Sequence, residues 1–533
     1  MTMPAYNLLS QPLLHAAPCG PLTLPGLLAA LARDQVDSFP ALRPHQSPAW
    51  HMFLVQLAAL ALHGAEAGDI PRDEAAWARA LRGLTSGFEQ DEPWCLVVDD
   101  WTKPAFLQPP VPEGHRLANT VPSPDALDLL VTSKNHDLKQ AVARDGQPED
   151  WVFALVSLQT GEGYGGAGNH GIARMNGGAS SRAMLTLAPL PAAPDKTMTP
   201  RPGGWFRRDV AMLLETRDSE LATHAHLGYP ATGGLGLTWL APWPERDRLA
   251  VDRLDIWFIE VCRRVRLAGY GQALSGRKGT SQATRLNAKH LNGALGDPFA
   301  PVIKDDTKSF TLAGRDFDYR TLTDLMLSGN WTLPVLARPA SFEREGDTLA
   351  LVAQALARGN SKTEGFKSRI LPVGGKISGA LGARRAELHE LAKAQMTAIA
   401  NVDKALSYAL ALVAAGSESD PDKLKPGKLK KDHYAHARDA CRRFDRTVDV
   451  LFFDHLWARL EAPDRNAEET RFAGALVDAA RPIFEAALPA IPCASFYRLK
   501  AEERARLAFD GMLRHHFPDL FETPDREDSD HAA

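Results

Sequence analysis

The stretch Gly161–Gly178, GEGYGGAGNHGIARMNGG, decides how the first two thirds of the chain are read. It carries eight glycines in eighteen residues, with Asn169, His170, Arg174 and Asn176 among them. Such a backbone bends sharply and brings its amides close to whatever it meets. Two overlapping G-x-G-x-x-G matches, Gly161/Gly163/Gly166 and Gly163/Gly165/Gly168, would signal a doubly wound dinucleotide fold if a strand preceded them and an apolar helix followed. That reading is rejected. Trp151–Leu158 reads as helix as easily as strand, Asn169-His170-Gly171 is no helix start, and no acidic residue can be placed on a second strand. What remains is a functional loop hung between two apolar segments, the second being Arg182–Leu187, with a merely flexible surface loop as the bland alternative.

Outward from the loop, the 533 residues are too many for one core, so two or three domains are expected. Apolar content of 44% and charged content of 24% are those of an ordinary globular protein. There is no run of eighteen apolar residues, so no membrane association is expected. The N-terminus lacks the charged and apolar regions of a secretory signal. Five scattered cysteines without a C-x-x-C pair suit a reducing, cytoplasmic compartment and argue against a zinc ribbon. The net charge of −4 averages unlike regions. Acidic residues gather at Asp519–Asp530, whereas Arg263–Lys308 is rich in Lys and Arg, leaving room for a local basic face.

Upstream, His45–His63 reads as an apolar helix buried on most sides and Arg72–Leu84 as an amphipathic one. The polar turn Ser133–Asp137 includes the pair His136-Asp137, too little for a metal-dependent phosphohydrolase. Downstream, Asp252–Leu267 reads as a helix presenting Arg263, Arg264 and Arg266 to solvent or to surface ion pairs. Gly276–Lys289, GRKGTSQATRLNAK, holds Arg277, Lys278, Arg285 and Lys289 and no anion, which suits phosphate or groove contacts. Thr348–Ala357 reads as a helix leading into the basic, polar segment Arg358–Arg369. Gly374-Gly375-Lys376-Ile377 fails as a P-loop because no earlier glycine and no Ser/Thr accompany the lysine. Beyond Gly379 the texture is that of long helices. Leu388, Leu391, Gln395, Ile399, Val402, Leu406, Leu410 and Val413 form one stripe, and helices over 430–460, 467–488 and 493–516 follow. The fold class expected is α+β: a mixed α/β N-terminal globular domain over 1–378, an antiparallel four-helix bundle over 379–520, and an acidic disordered tail over 521–533.

In this order the pieces resemble the large subunits (CasA, Cas8e type) of the Type I-E CRISPR surveillance complex Cascade. The resemblance runs from Asn7-Leu8-Leu9 through the helix near His51, the Ser133–Asp137 turn, the loop ending in Asn176-Gly177-Gly178, Glu260–Arg266, Asn292-Gly293 and Arg358–Gly365 to the terminal helices. It implies a subunit without catalytic activity or cofactor. Its partners would be crRNA, target double-stranded DNA, the backbone, handle-capping and small subunits of Cascade, and a helicase-nuclease. Such subunits read the protospacer-adjacent motif through the minor groove, whose degenerate pattern tolerates several related motifs. The residues at which the resemblance places motif reading are Gly166, Gly168, Asn169, His170 and Gly171 of the loop, with Lys289 as the finger and Arg285 as its alternative. Asn360, Ser361 or Lys362 would be the strand-separating wedge, where Ser361 is shorter than the family's common glutamine. Ser133, Lys134, Asn135 and His136 would meet the crRNA handle and neighbouring subunits. The zinc element of some relatives is missing around Gly269–Gly279, so no metal is expected. Two other readings stay open: an enzyme holding a nucleotide or cofactor at Gly161–Gly168, and a purely structural subunit.

Overall fold

The computed structural model describes residues 5–128, 146–191, 199–244, 247–344, 346–359, 362–416 and 429–521. The fold is α+β and divides into two compact units: Met1–Phe317 with Asp324–Ala383, and Asp318–Thr323 with Arg384–Ala533.

The first unit is organised about the helix Ser47–Gly64, in which every residue from Pro48 to Leu62 is buried. A helix apolar on all sides has no face for water. Its Trp50 ring meets Phe53 at 5.8 Å and Phe153 at 5.1 Å. Burying side chains of this size contributes about 1.5–3 kcal/mol each, before the entropy of fixing them. Around it lie Leu24–Ala32, Pro148–Gly161 and Pro202–Thr223. The first of these is begun by Thr23, whose hydroxyl accepts the Gly26 amide at 2.9 Å.

Two sheets matter for the site. A five-stranded sheet has the spatial order Ala5–Asn7, Cys95–Val97, Arg264–Ala268, Ser275–Gly279, Asn119–Val121. A three-stranded antiparallel sheet consists of Lys362–Gly374, Thr348–Gly359 and Met184–Pro189, with Leu351 opposite both Leu371 and Leu187.

Both sheets correct the reading of the sequence. Thr348–Ala357 is a strand, not a helix. Its Leu- and Ala-rich composition favours helix locally, but strands pair with it on both edges, and Leu349–Ala353 and Ala355–Ala357 are all buried. A central strand covered on both faces loses the polar alternation that would announce it. Likewise, the expected helix over Asp252–Leu267 is two strands, Leu254–Ile259 and Arg264–Ala268, parted by 260–263. The run Ile256-Trp257-Phe258-Ile259 is β-branched and aromatic, which suits a buried strand.

In the second unit four long helices, Arg385–Ala415, Arg438–Glu461, Arg465–Ala487 and Arg498–His516, share a core, and the first packs against the other three. The stripe from Leu388 to Val413 is buried. The rings of Phe484 and Phe509 stack at 4.4 Å between the last two. The helix expected over 430–460 is two pieces, Lys431–Ala435 and Arg438–Glu461. Arg385–Ala415 is long and apolar enough to cross a membrane by length and composition, yet most of its apolar window is buried within the protein. Residues 522–533, most of the expected tail, lie outside the described residues.

Candidate functional site

The glycine-rich loop leaves the C-terminal end of the helix Pro148–Gly161, so its G-x-G-x-x-G matches follow a helix rather than a strand. Its two limbs lie in backbone contact. A Cβ on Gly178 would stand 2.0 Å from the Tyr164 carbonyl oxygen, and one on Gly163 would stand 2.3 Å from that of Gly177. Side chains cannot be accommodated there. At the inner turn the Asn169 amide donates to the Gly166 carbonyl at 3.0 Å and the Gly165 amide to that of Asn169 at 2.9 Å. Gly166 takes φ +111° and Gly168 φ +74°. The Gly168 carbonyl then accepts the Ser281 amide at 3.0 Å, tying the loop to the basic segment Gly276–Lys289.

A floor of buried charge holds the loop from beneath. Arg263 donates to the Gly163 carbonyl at 3.0 Å. Arg174 donates to the Ile256 carbonyl at 2.9 Å, its guanidinium 4.0 Å over the Phe258 ring. Glu260 accepts the Ala173 amide at 2.7 Å. Burial pushes the Glu260 carboxyl up to about 8, against the opposing pull of that amide and of Arg174, Arg182 and Arg285. The hairpin joins at one side: Arg358 donates its amide to Ala179 at 2.9 Å, Ser181 donates to Leu356 at 2.8 Å, and the Arg358 guanidinium pairs with Glu162.

Above this floor opens a cavity of about 410 Å³, lined among others by Tyr164, His170, Gly171, Asn176, Lys289 and Asn292. The loop and the turn Lys289–Leu291 thus face the same space. That turn is closed by Asn292 at φ +48°, and Gly293 follows at φ +87°, where a Cβ would lie 2.1 Å from Ser309 Oγ. Lys289 is exposed and makes no ion pair among the described residues. Of the loop residues singled out from sequence, His170 and Gly171 line the cavity, while Gly166, Gly168 and Asn169 form the turn beside it.

Arg285 is placed otherwise, and the expectation that it could replace Lys289 is corrected. It is buried and gives its N–H groups to the carbonyls of Thr238, Ala241 and Pro242 at 3.0, 2.7 and 2.8 Å. Burial lowers its guanidinium to about 10, with the charge of Arg264 adding to the shift and Glu260 opposing it. The expected solvated face of Arg263, Arg264 and Arg266 is corrected too: all three are buried. Arg266 donates to the carbonyls of Val98 and Lys103, each at 2.9 Å.

Lys362 pairs through its backbone with Gly359 where the hairpin strands end. Asn360 and Ser361, between them, lie outside the described residues, as do Ser133, Lys134, Asn135, His136 and Asp137. Among the described residues no group of three His, Cys, Asp or Glu side chains is arranged to hold a metal ion. The sequence reading overlooked Tyr164, an exposed aromatic at the cavity's edge. A ring among glycines was the available signal.

No protein-family model matches the sequence, and no curated relative matches it. Solved structures do. CRISPR-associated protein Cse1 from Acidimicrobium ferrooxidans aligns at TM-score 0.62 and 14% identity, covering 97% of this chain and 99% of its own. The chain has the Cse1/CasA fold. Thermobifida fusca Cse1 gives TM-score 0.60 at 15% identity over 97% of this chain and 99% of its own. A CasA structure from Thermus thermophilus gives 0.59 at 15% over 96% and 100%. In this Cse1/CasA fold the glycine loop, the Lys289 turn and the turn end of the long hairpin lie in one unit from three separate parts of the sequence.

Proposed function

We propose that this chain is the large, non-catalytic subunit of a Type I-E CRISPR surveillance complex. It reads the protospacer-adjacent motif of double-stranded DNA from the minor groove, starts duplex opening and R-loop formation, and recruits a helicase-nuclease. The observation that carries the reading is the shared cavity, which Lys289 and the glycine loop line together. An exposed ammonium reaching minor-groove acceptors, beside a backbone without Cβ atoms that can lie against sugars and base edges, is what motif reading there requires. The whole-length likeness to Cse1 and CasA structures supports it. Base pairing with a guide would carry most of the sequence information, so the protein needs only a short motif, a wedge and a basic track. The wedge is assigned to Asn360, Ser361 or Lys362, of which Lys362 belongs to the last described pair of the hairpin. The crRNA handle and neighbouring subunits are assigned to Ser133–His136.

The test is binding of a short duplex with a randomised motif by the guide-loaded complex, with and without this chain, at two salt concentrations. Motif preference present only with the chain, and lost on Lys289→Ala while assembly persists, supports the reading. Preference unchanged without the chain overturns it and leaves a structural subunit. An enzyme using Gly161–Gly168 for a nucleotide is disfavoured because the matches follow a helix rather than the strand such a turn needs.

A further inference from the structure

We propose that a second cavity in the first unit, between residues 113–119 and the end of the strand Ser275–Gly279, binds a phosphate group of a nucleic-acid backbone. It has a volume of about 460 Å³ and is lined by His115, Arg116, Arg264 and Thr280 together with the backbone of Gly114 and Gly279, Glu113 being the acid at its edge. The identity of the ligand rests on the nucleic-acid reading above; the cationic character of the site does not.

Three observations carry the proposal. Arg264 is 5% exposed and lies with its guanidinium 4.8 Å from the Trp243 ring, which Arg285 shares at 5.3 Å. Arg264 thus stands as a cationic wall of the cavity, its guanidinium held flat against an aromatic ring. Arg116 is exposed and makes no ion pair among the described residues, so its planar fork is available to a phosphate. The cavity also lies directly behind the motif-reading loop. Thr280, on its rim, packs so close to Gly168 that a Cβ there would meet the threonine Cβ at 2.6 Å. A polyanion that touches the loop therefore finds the next cationic station at Arg116, three residues before the strand Asn119–Val121 at the sheet's edge. Contacts of this kind fix the position of a backbone and carry no sequence information.

The backbone belongs either to duplex DNA or to guide RNA, and salt dependence separates the two. Fluorescence anisotropy of the full chain is measured with a labelled short duplex and with a labelled single-stranded RNA, at about 50 and 200 mM salt. Arg116→Gln is expected to lower the slope of log affinity against log salt by about 0.9 if the duplex is the ligand, or by about 0.7 with the single strand. The probe showing the loss names the source. Arg264→Gln, checked by thermal melting, is expected to deepen that loss, and if it does not fold, Arg116→Gln decides alone. An unchanged slope with both probes overturns the proposal. Lys289→Ala is run beside it on a motif-bearing duplex. Loss of motif preference there with no Arg116 effect sinks only this site, whereas no effect from either variant sinks the nucleic-acid reading as well.

Discussion

Two sets of cations lie on opposite sides of one surface in the first unit. Arg174, Arg263, Arg266 and Arg285 are buried, and each spends its N–H groups on backbone carbonyls. Lys289 and Arg116 are exposed, and neither has an ion-pair partner among the described residues. Arginine suits the first task because its rigid fork reaches several carbonyls at once while its flat face rests on rings such as Phe258 and Trp243. In a basic stretch, then, some cations are spent on the fold itself and others are left to solvent. Charge density alone does not tell them apart.

The comparison breaks first at the loop that separates the two sets. Gly178→Ala puts a methyl group into the Tyr164 carbonyl. It is expected to cost on the order of 4 kcal/mol by urea unfolding and to remove motif-dependent binding with it. Gly166→Ala meets no atom within 4 Å but sits at φ +111°, so about 1–2 kcal/mol is expected there. Equal costs for the two would show that the limb contact is not the constraint.

Next come the braces themselves. Arg285→Ala leaves three carbonyls without their guanidinium, and a loss of about 3 kcal/mol is expected in the same unfolding measurement. Lys289→Ala is expected to change stability by less than about 0.5 kcal/mol, yet to weaken binding of the correct motif by about 1–3 kcal/mol in a titration with matched and mismatched duplexes. If Lys289→Ala proved the destabilising one of the pair, the division into braces and contacts would be wrong.

The smallest effect concerns pH. Glu260 has its folded value raised to about 8 from an ordinary 4.5, chiefly by burial. Its favourable contribution is complete below about 4.5 and is lost as pH rises through about 8, because the folded state keeps a proton that the unfolded chain releases. Urea midpoints followed from pH 5 to 9 should fall over that window, and Glu260→Gln should flatten that part of the curve. A slope unaltered by Glu260→Gln would place the proton elsewhere in the floor.

The α+β class was legible in the sequence: the unbroken apolar run of Ser47–Gly64 is buried on all sides, and the periodic stripe from Leu388 to Val413 is buried on one. Lys289 and the loop were legible as chemistry without partners. Thr348–Ala357 was not, since alternating Leu and Ala serve a helix face and a doubly covered strand equally well, and only pairing with Met184–Pro189 and Lys362–Gly374 distinguishes them. Arg285 was misread for a related reason. Its stretch of sequence is rich in cations and small polar residues, while the carbonyls that absorb it come from residues 238–242.

The attachment of the hairpin to the loop has a mechanical meaning. Arg358 is fixed to Ala179 through its amide and to Glu162 through its side chain, one residue before the last described pair, Gly359 and Lys362. The strands behind that anchor run twelve and thirteen residues. The anchor therefore acts as a rivet near the turn end of the strand pair, beside the register break between Ala357 and Arg358. It makes that end of the sheet and the glycine loop one continuous run of backbone and ion-pair contact.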